Sequence, residues 1–433
     1  MRRIHSLIAM VLMCSLFLFI YYSSLSQPQA QFHRPLTGVS ANTISAGHSD
    51  FVKNGEKYSI KNDGKMDVLT HVPGSIPGVP QEGFALSASF RESIPQNPAY
   101  WNRLLHFQLK QMDNKQSPAG PEGRNWSNCE NSAEQLRTNI HDFSQYPELH
   151  KIFIRGMDCR DPPILIDQPE KCRSNGGKTF LLFAIKSTPR NFEQRQTVRE
   201  TWGREAVYSG WVKVRTVFLL GTTTQDDPNL SRLLAFEGRL YGDLLQWNFQ
   251  DSFFNLTLKE HAFYRWALAR CPNVSFIFKG DDDVFANTKA ILAYLQSLEP
   301  DKASKLYLGQ ALISASPLRD SKSKYYIPES FYEGGYPAYT GGGGYLFSGS
   351  LIGQLYGVTV LLPFFPIDDV YTGMCFSALG IVPEKHDGFQ TFDIREQDRA
   401  NVCVHRNLLL VHKRSPREIM QLWRDIKNPL LLC

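Results

Sequence analysis

Residues 276–285 read FIFKGDDDVF, and this stretch decides the fold. A short apolar run leads through lysine and glycine into three consecutive aspartates, 281–283. Apolar runs of this length are typical of strands buried on both faces of a parallel sheet. In open α/β sheets, ligands bind beyond the carboxyl ends of the strands, where this run places its carboxylates. The stretch therefore predicts an α/β fold with a binding site at a strand end.

The neighbouring segments repeat the pattern. KTFLLFAIKS (178–187) and KVRTVFLLGT (213–222) are further apolar runs that end in polar residues or glycine. Helical spacing occurs between such runs, at 192–203, 227–240 and 256–271. The last of these helices begins with Thr257 and Glu260 at the spacing of a capping box. Strands that alternate with helices predict an α/β domain with a mainly parallel central sheet flanked by helices.

Composition and charge exclude several classes of protein. The chain of 433 residues has 47 basic and 42 acidic residues and no long basic block, so charge gives nucleic-acid binding no support. The sequence contains no C-x-x-C spacing, which excludes zinc ribbons and thioredoxin-like redox sites. It also lacks the P-loop and the G-x-G-x-x-G fingerprint, which excludes those two phosphate-binding loops.

The N-terminus predicts a membrane anchor. Residues 7–22 carry no charge, and Arg2 and Arg3 precede them. We expect a cytosolic tail at 1–6, an uncleaved transmembrane signal anchor at 7–22 and a luminal remainder, because basic residues stay on the cytosolic side. A cleaved signal peptide is the alternative, since the apolar run is short for a spanning helix. Residues 23–96, rich in Ser, Gly, Pro, Gln and Asn, predict a flexible stem, and we expect 97–433 to form the ordered luminal part of the chain.

Sequons and cysteines agree with a luminal location. Four N-x-S/T sequons, at Asn125, Asn229, Asn255 and Asn273, are candidate glycosylation sites. Seven cysteines follow the predicted anchor, and in an oxidising lumen most should pair. An odd number leaves at least one of them free or bonded to another chain.

The three aspartates support two interpretations. In an extended segment Asp281 and Asp283 project to one side and Asp282 to the other. Adjacent carboxylates repel each other unless a cation compensates them, and Mg²⁺ or Mn²⁺ binds oxygen ligands and shares them with phosphates. A solvated acidic turn is the alternative. The spacing of an EF-hand loop is absent.

A second acidic pair, Asp368 and Asp369, follows an apolar stretch that ends in Pro366. One of these carboxylates could act as a general base, and both also suit the first turn of a helix. Between the two acidic groups lies TGGGGYLFSG (340–349), whose glycines permit positive φ and close backbone approach. Such a stretch is also common in plain flexible loops. Basic residues that could meet a diphosphate are Lys186, Arg195 and Arg199.

The combination resembles a known family. RQTVRETWG (195–203), FKGDDDVFANT (278–288), YTGGGGYLFSG (339–349) and FPIDDVYTGMC (365–375) are similar, in order, to motifs of the β-1,3-glycosyltransferases. FFNLTLKE (253–260) and KYYIPE (324–329) also fit. The resemblance covers residue 97 to the C-terminus and is strongest to the β-1,3-N-acetylglucosaminyltransferase branch.

The resemblance implies a GT-A fold, UDP-GlcNAc as donor and an inverting, Mn²⁺- or Mg²⁺-dependent reaction. It implies Asp369 as the catalytic base. The other implied roles follow the same motifs: Asp368, Gly342 and Gly343 would contact the donor sugar; Lys186, Arg195, Arg199, Asp281 and Asp282 would bind the nucleotide; Asp281, Asp283 and His412, in LVHKR (410–414), would hold the metal. His386 is a weaker rival of His412. Tyr325, Tyr326, Trp247 and Trp202 are candidates for stacking on sugar rings, although core positions are equally compatible with them.

The implied activity is extension of N-acetyllactosamine or core O-glycan chains on glycoproteins or glycolipids, at the 3-hydroxyl of a terminal β-galactose. The implied protein is a type II Golgi membrane protein, alone or in a homo- or hetero-oligomer with related transferases. Three alternatives stay open: a β-1,3-galactosyltransferase of the same family, a carbohydrate-binding member without catalysis, and a glycoside hydrolase that uses Asp283 and Asp369.

Overall fold

A mixed nine-stranded sheet forms the centre of the domain in the computed structural model, which describes residues 50–53, 56–60, 66–69, 86–114, 139–173, 178–223 and 227–433. The strands are β1 (Asp50–Lys53), β2 (Glu56–Ile60), β3 (Met66–Leu69), β4 (Ile164–Ile166), β5 (Thr179–Lys186), β6 (Ala206–Tyr208), β7 (Val212–Thr222), β8 (Leu244–Gln250), β9 (Phe276–Asp281), β10 (Phe285–Ala286), β11 (Tyr307–Gly309), β12 (Ala311–Leu312), β13 (Tyr339–Thr340), β14 (Gly344–Ser348), β15 (Glu384–Lys385), β16 (Phe389–Gln390) and β17 (Leu410–Val411). The helices are α1 (Ala88–Ser93), α2 (Tyr100–Asp113), α3 (Glu148–Gly156), α4 (Phe192–Glu200), α5 (Pro228–Tyr241), α6 (Leu256–Arg270), α7 (Thr288–Gln296), α8 (Pro300–Ser304), α9 (Ile352–Leu361), α10 (Asp368–Ala378), α11 (Val402–Asn407) and α12 (Pro416–Ile426).

The sheet has the strand order β15-β11-β14-β9-β5-β7-β8-β4, and β6 pairs with β7. The four strands β9, β5, β7 and β8 are parallel, whereas β14, β4 and β6 join them antiparallel. The three apolar runs therefore form the predicted parallel centre. The expectation of a mainly parallel sheet is wrong at its flanks, because the short antiparallel strands there carry no long apolar run that the sequence could reveal.

Side chains of the central strands alternate between two hydrophobic clusters. Leu182 and Ala184 of β5 face one cluster, which includes buried residues of α2, α6, α9 and α10. Leu181 and Phe183 face the other, with α4, α7 and α12. Burial on both faces explains why β5 reads as a continuous apolar run rather than an alternating one. The helices thus cover both faces and leave the carboxyl ends of the parallel strands as the place for a site.

The predicted helices at 192–203, 227–240 and 256–271 are confirmed as α4, α5 and α6. The capping box on α6 is wrong. The Thr257 hydroxyl donates to the carbonyl of Phe365 at 2.6 Å, and Glu260 forms a buried ion pair with Lys279 at 2.9 Å. Both side chains are buried by tertiary contacts, which override the local capping preference.

The described packing begins at Leu86, ahead of residue 97. Leu86, Phe90 and Ile94 are buried in the main cluster, and the Ser87 amide donates to the carbonyl of Ala378 in α10 at 2.8 Å. The last residues of the predicted stem therefore lie on the domain. The predicted anchor at 7–22 lies outside the described residues, and no helix within the described ranges is long and apolar enough to cross a membrane.

Disulfide bonds close two loops in the described part of the chain. Cys172 pairs with Cys271, and Cys403 pairs with Cys433. Cys159 is also disulfide-bonded, whereas Cys375 is free and buried. The prediction that most cysteines pair and that at least one stays free is confirmed for these residues.

Candidate active site

The three aspartates lie at the carboxyl end of β9, beside the end of β5. Asp281 is the register partner of Lys186, the last residue of β5, so the strand pairing brings a carboxylate and an ammonium together. Asp282 points the other way, is 7% exposed and accepts a hydrogen bond from Asn191 Nδ2 at 3.0 Å. Burial raises the pKa of Asp282 to about 6, against the hydrogen bonds from Ser187 and Asn191. The alternation predicted for the triplet is present.

His412 forms a cluster of three candidate metal ligands with Asp281 and Asp283. One ligand atom from each of the three residues lies within 4.8 Å of the others. His412 Nε2 is 3.2 Å from Asp283 Oδ1 and 3.8 Å from Asp281 Oδ2. Its Nδ1 lies 2.8 Å from the carbonyl oxygen of Thr391, which only accepts, so Nδ1 carries the proton and Nε2 faces the carboxylates. A backbone carbonyl that fixes the ring in this way is typical of metal-ligating histidines.

The charges of this cluster act on each other. Burial lowers the pKa of His412, but the hydrogen bond and charge of Asp283 and the charge of Asp281 outweigh it and raise the pKa above its ordinary value. Burial likewise opposes ionisation of Asp283, and the contact with His412 holds its pKa below the usual range. A divalent cation would take the place of the proton on Nε2, because an imidazole binds a metal in its neutral form, and two carboxylates with one such imidazole suit this cation.

Lys186 connects the two acidic groups. Its ammonium is 3.1 Å from Asp281 Oδ1 and 2.9 Å from Asp368 Oδ2, and it donates to the carbonyl of Gly342 at 3.1 Å. Burial disfavours the charge, but Asp281 and Asp368 raise the pKa of Lys186 well above its ordinary value. The lysine is therefore a fixed cation between the end of β9 and the start of α10.

Asp369 lies at the start of α10 and is part-exposed. Its Oδ2 accepts from the Gly342 amide at 3.2 Å, and its Oδ1 accepts from the Val370 amide at 2.8 Å. Burial and then the charge of Asp368 raise the pKa of Asp369 to about 7, although Lys186 and the two amides oppose the shift. Both interpretations of the acidic pair are thus compatible: the residues begin a helix, and one is a carboxylate with the proton affinity of a general base.

Glycine occupies positions 341–344 because the neighbouring residues leave no room for a side chain there. None of the glycines 341–344 has positive φ, so conformational freedom is not the reason for them. A Cβ on Gly342 would lie 3.2 Å from Asp369 Oδ2, and one on Gly343 would lie 3.0 Å from His412 Cγ. A Cβ on Gly341 would lie 2.1 Å from Thr391 Oγ1. The backbone comes close to Asp369 and His412 here, and its close approach to a ligand stays a prediction.

The two arginines of the predicted nucleotide site are already paired. Arg195 is fully buried, forms a two-bond ion pair with Glu237 at 2.7 and 2.8 Å and donates to the carbonyl of Thr188. Arg199 binds Glu237 and Asp243, and Asp243 directly precedes β8. Both arginines are therefore held by carboxylates, and Arg195 also holds the turn that follows β5.

A cleft that motif reasoning missed lies at the carboxyl ends of β5, β7 and β8. It has a volume of about 310 Å³ and is lined by Thr188, Pro189, Arg190, Thr222, Thr223, Gln250 and Asp251. The Asp251 carboxylate binds Lys259 Nζ at 2.8 and 2.9 Å, and Lys259 also donates to the carbonyl of Ser187. Asp251 directly follows β8, so the rule that singled out the aspartates after β9 could have found it.

The remaining candidates divide between core and surface. Trp202 and Trp247 are buried core residues, whereas Tyr325 is 41% exposed. His386 accepts from the Gly388 amide and packs against Tyr294, apart from the three-residue cluster.

The candidate glycosylation sites differ in accessibility. Asn229 and Asn273 are exposed, and Asn125 lies outside the described residues. Asn255 is half-buried and donates to the carbonyl of Gln250.

A parallel sheet centre with a carboxylate–imidazole cluster, a fixed lysine and a raised-pKa carboxylate at one edge defines an α/β glycosyltransferase. Comparison with known proteins agrees: the Galactosyltransferase family matches residues 193–387. The chain belongs to the β-1,3-N-acetylglucosaminyltransferase family.

Three relatives illustrate this membership. The chain is 46% identical over 351 residues to N-acetyllactosaminide beta-1,3-N-acetylglucosaminyltransferase 2 of Mus musculus, over 78% of this chain and 87% of the relative. The Homo sapiens protein of that name is 45% identical, over 82% and 89%. UDP-GlcNAc:betaGal beta-1,3-N-acetylglucosaminyltransferase 7 of Rattus norvegicus is 44% identical, over 65% and 72%.

Proposed function

We propose that this chain transfers N-acetylglucosamine from UDP-GlcNAc to the 3-hydroxyl of a terminal β-galactose on glycoprotein or glycolipid chains. The names of its relatives support this donor and this acceptor. The observation that carries the proposal is Asp369, a carboxylate with a pKa of about 7, whose neighbour Asp368 pairs with the lysine that also contacts Asp281. A general base works best when its pKa lies near the working pH.

The donor would lie along the carboxyl edge of the sheet, in the manner of a GT-A enzyme. The cleft beside Thr188, Thr222 and Asp251 is open at this edge and has room for a nucleoside. Lys186 and Asp281 would face the diphosphate, and Asp368 and the backbone of Gly342 the sugar. Arg195 would contribute by holding the Ser187–Pro189 turn, and the ion pairs of Arg199 with Glu237 and Asp243 argue against its direct contact with the nucleotide.

Asp281, Asp283 and His412 would hold a Mn²⁺ or Mg²⁺ ion. Two carboxylate oxygens and an imidazole nitrogen fit such an ion, because hard divalent cations prefer oxygen ligands and also accept imidazole. Once bound, the ion supplies positive charge against the leaving diphosphate. Lys186 adds a second positive charge from the protein.

Asp369 would remove the proton from the acceptor 3-hydroxyl. The hydroxyl oxygen forms a bond to the anomeric carbon as the bond from that carbon to UDP breaks, and the proton passes to the Asp369 carboxylate. Attack from the face opposite to UDP converts the α-linked donor into a β-linked product. The Gly342 and Val370 amides hold both oxygens of the base in place during this step.

We further propose that residues 7–22 anchor the chain in the Golgi membrane with the catalytic domain in the lumen, as a type II protein, alone or in an oligomer with related transferases. The uncharged run after Arg2 and Arg3 supports the anchor. The disulfide bonds support an oxidising compartment.

A donor screen on the full-length protein tests the activity. With Mn²⁺ and lactose-type, N-acetyllactosamine and core O-glycan acceptors, we expect transfer from UDP-GlcNAc that excess chelator abolishes. Faster transfer from UDP-galactose would reassign the donor. Glycan binding without transfer from any UDP-sugar would indicate a non-catalytic member, and full transfer in chelator would overturn the metal role. Release of free sugar from the acceptor glycans would indicate a hydrolase.

A further inference from the structure

We infer that Arg414 is a positioning residue whose guanidinium fixes the turn that carries His412 beside Asp283 in the metal site. The two ligands come from distant parts of the chain: Asp283 follows β9, and His412 follows β17. Antiparallel pairing of β10 with β17 brings the two segments together, and the conformation of residues 412–414 then sets where His412 lies relative to Asp283. The inference rests on the proposed metal-dependent function.

The Arg414 side chain holds this turn. Its guanidinium Nη1 lies 3.1 Å from the carbonyl of His412 and 3.0 Å from that of Lys413. The Arg414 backbone amide donates to the carbonyl of Asp283 at 2.8 Å, a bond that does not depend on the side chain. The residue is 1% exposed, so these bonds are shielded from water. A rigid, planar guanidinium loses little further freedom when it binds several acceptors, which lysine cannot imitate.

The counter-charge of Arg414 fixes the turn around His412. Asp393 Oδ1 accepts from Arg414 Nη1 at 2.7 Å, and the other oxygen of Asp393 binds Arg399. Asp393 and Lys413 have φ of 72° and 57°, left-handed values that are costly for residues other than glycine. Strained residues of this kind persist where surrounding contacts impose them and cluster at functional sites. The Arg414–Asp393 pair touches both strained residues.

The ring of His412 is held by a separate set of bonds. Its backbone amide donates to Gln390, and its Nδ1 donates to Thr391. The amide and hydroxyl of Thr391 both donate to Gln310 Oε1, at 2.7 and 2.8 Å. This set orients the imidazole, whereas the Arg414 guanidinium holds the backbone turn that carries it. Loss of an outer partner of this type typically weakens metal binding about 10- to 100-fold.

The test measures Mn²⁺ binding to the full-length protein in the presence of UDP, by the electron paramagnetic resonance signal of free Mn²⁺. We expect Arg414→Met to raise the dissociation constant for Mn²⁺ about tenfold or more. Arg414→Lys should fall between this variant and the wild type. Arg160→Met is the matched control, because Arg160 is also a buried arginine that donates to backbone carbonyls, those of Thr359 and Leu362, and should leave the constant unchanged.

The outcomes separate this inference from the proposed function. A wild-type protein that binds no Mn²⁺, or an Asp283→Asn variant that binds it normally, overturns the metal site itself. A wild-type dissociation constant in Arg414→Met overturns the positioning role, as does an equal loss in Arg160→Met. If Arg414→Met does not fold, Asp393→Asn removes the charge that faces Arg414 and Arg399 while keeping a side chain of the same shape, and unchanged Mn²⁺ binding in that variant contradicts the inference.

Discussion

Replacement of Asp369 by asparagine should abolish transfer and at the same time stabilise the fold. The carboxylate pairs with no cation of its own, and burial and the charge of Asp368 raise its pKa from 3.8 to about 7. An ionised Asp369 therefore costs the native state about 4 kcal/mol relative to the unfolded chain. Asparagine removes this charge but also weakens one of the two backbone hydrogen bonds, a loss of about 1 kcal/mol. The expected net gain is about 3 kcal/mol.

The stabilisation by Asp369→Asn grows with pH between about 4 and 7. Because the native pKa of Asp369 is raised, this carboxyl group costs the wild type no free energy of unfolding below pH about 4, where the native and the unfolded state both hold the proton. The free energy of unfolding of the wild type then falls as the pH rises to about 7, where the native carboxylate ionises. The advantage of Asp369→Asn should therefore be near zero at pH 4, grow with rising pH and level off above pH about 7.

Urea unfolding of both proteins at pH 5 and pH 8, in excess chelator, measures this difference. Asp301→Asn is the control, because the Asp301 side chain is 93% exposed and should give no pH-dependent gain. In the transfer assay, loss of a general base should lower kcat about 10²- to 10⁴-fold. Normal turnover by Asp369→Asn would refute the assignment of the base. An equal free energy of unfolding for variant and wild type at pH 8 would refute the electrostatic reasoning.

Three further results are expected. Lys186→Met should lower the free energy of unfolding by about 3–5 kcal/mol, because two carboxylates lose their shared cation; a wild-type urea midpoint would contradict this. In the wild type, kcat/KM should rise with pH and level off above about 7, as Asp369 loses its proton, and a flat profile between pH 5 and 8 would argue against that carboxylate. Removal of the Cys403–Cys433 bond, by serine at both positions, should cost about 3–4 kcal/mol because the bond closes a loop across 30 residues, as thermal or urea unfolding can show.

Much of the fold could be predicted because its centre is locally encoded. The runs that form β5, β7 and β9 are buried on both faces, so their apolar composition marks them without knowledge of their neighbours. The flanks of the sheet escaped prediction, since strands such as β11 and β15 have only three and two residues and are defined by their pairing alone.

The site was predictable wherever charge stood out against an apolar background. The aspartates after β9 and the pair that begins α10 were visible in this way, and the structure brings both groups to Lys186. The roles of Arg195 and Arg199 were not visible, because their carboxylate partners, Glu237 and Asp243, lie on α5 and before β8, far along the chain. Pairing of that kind is decided by tertiary packing, and no spacing in the sequence reports it.

The shared ammonium of Lys186 has a consequence for engineering and for divergence within the family. In the sequence, the aspartates at the end of β9 and the aspartates that begin α10 form two separate motifs. In this protein a single buried cation neutralises a carboxylate from each, so neither motif is a portable module. A graft of one motif into another scaffold leaves a carboxylate without its counter-ion unless the lysine at the end of the adjacent strand is transferred with it. Changes of donor preference should therefore occur at residues around Lys186, Asp281 and Asp368, while these three charged residues stay the same.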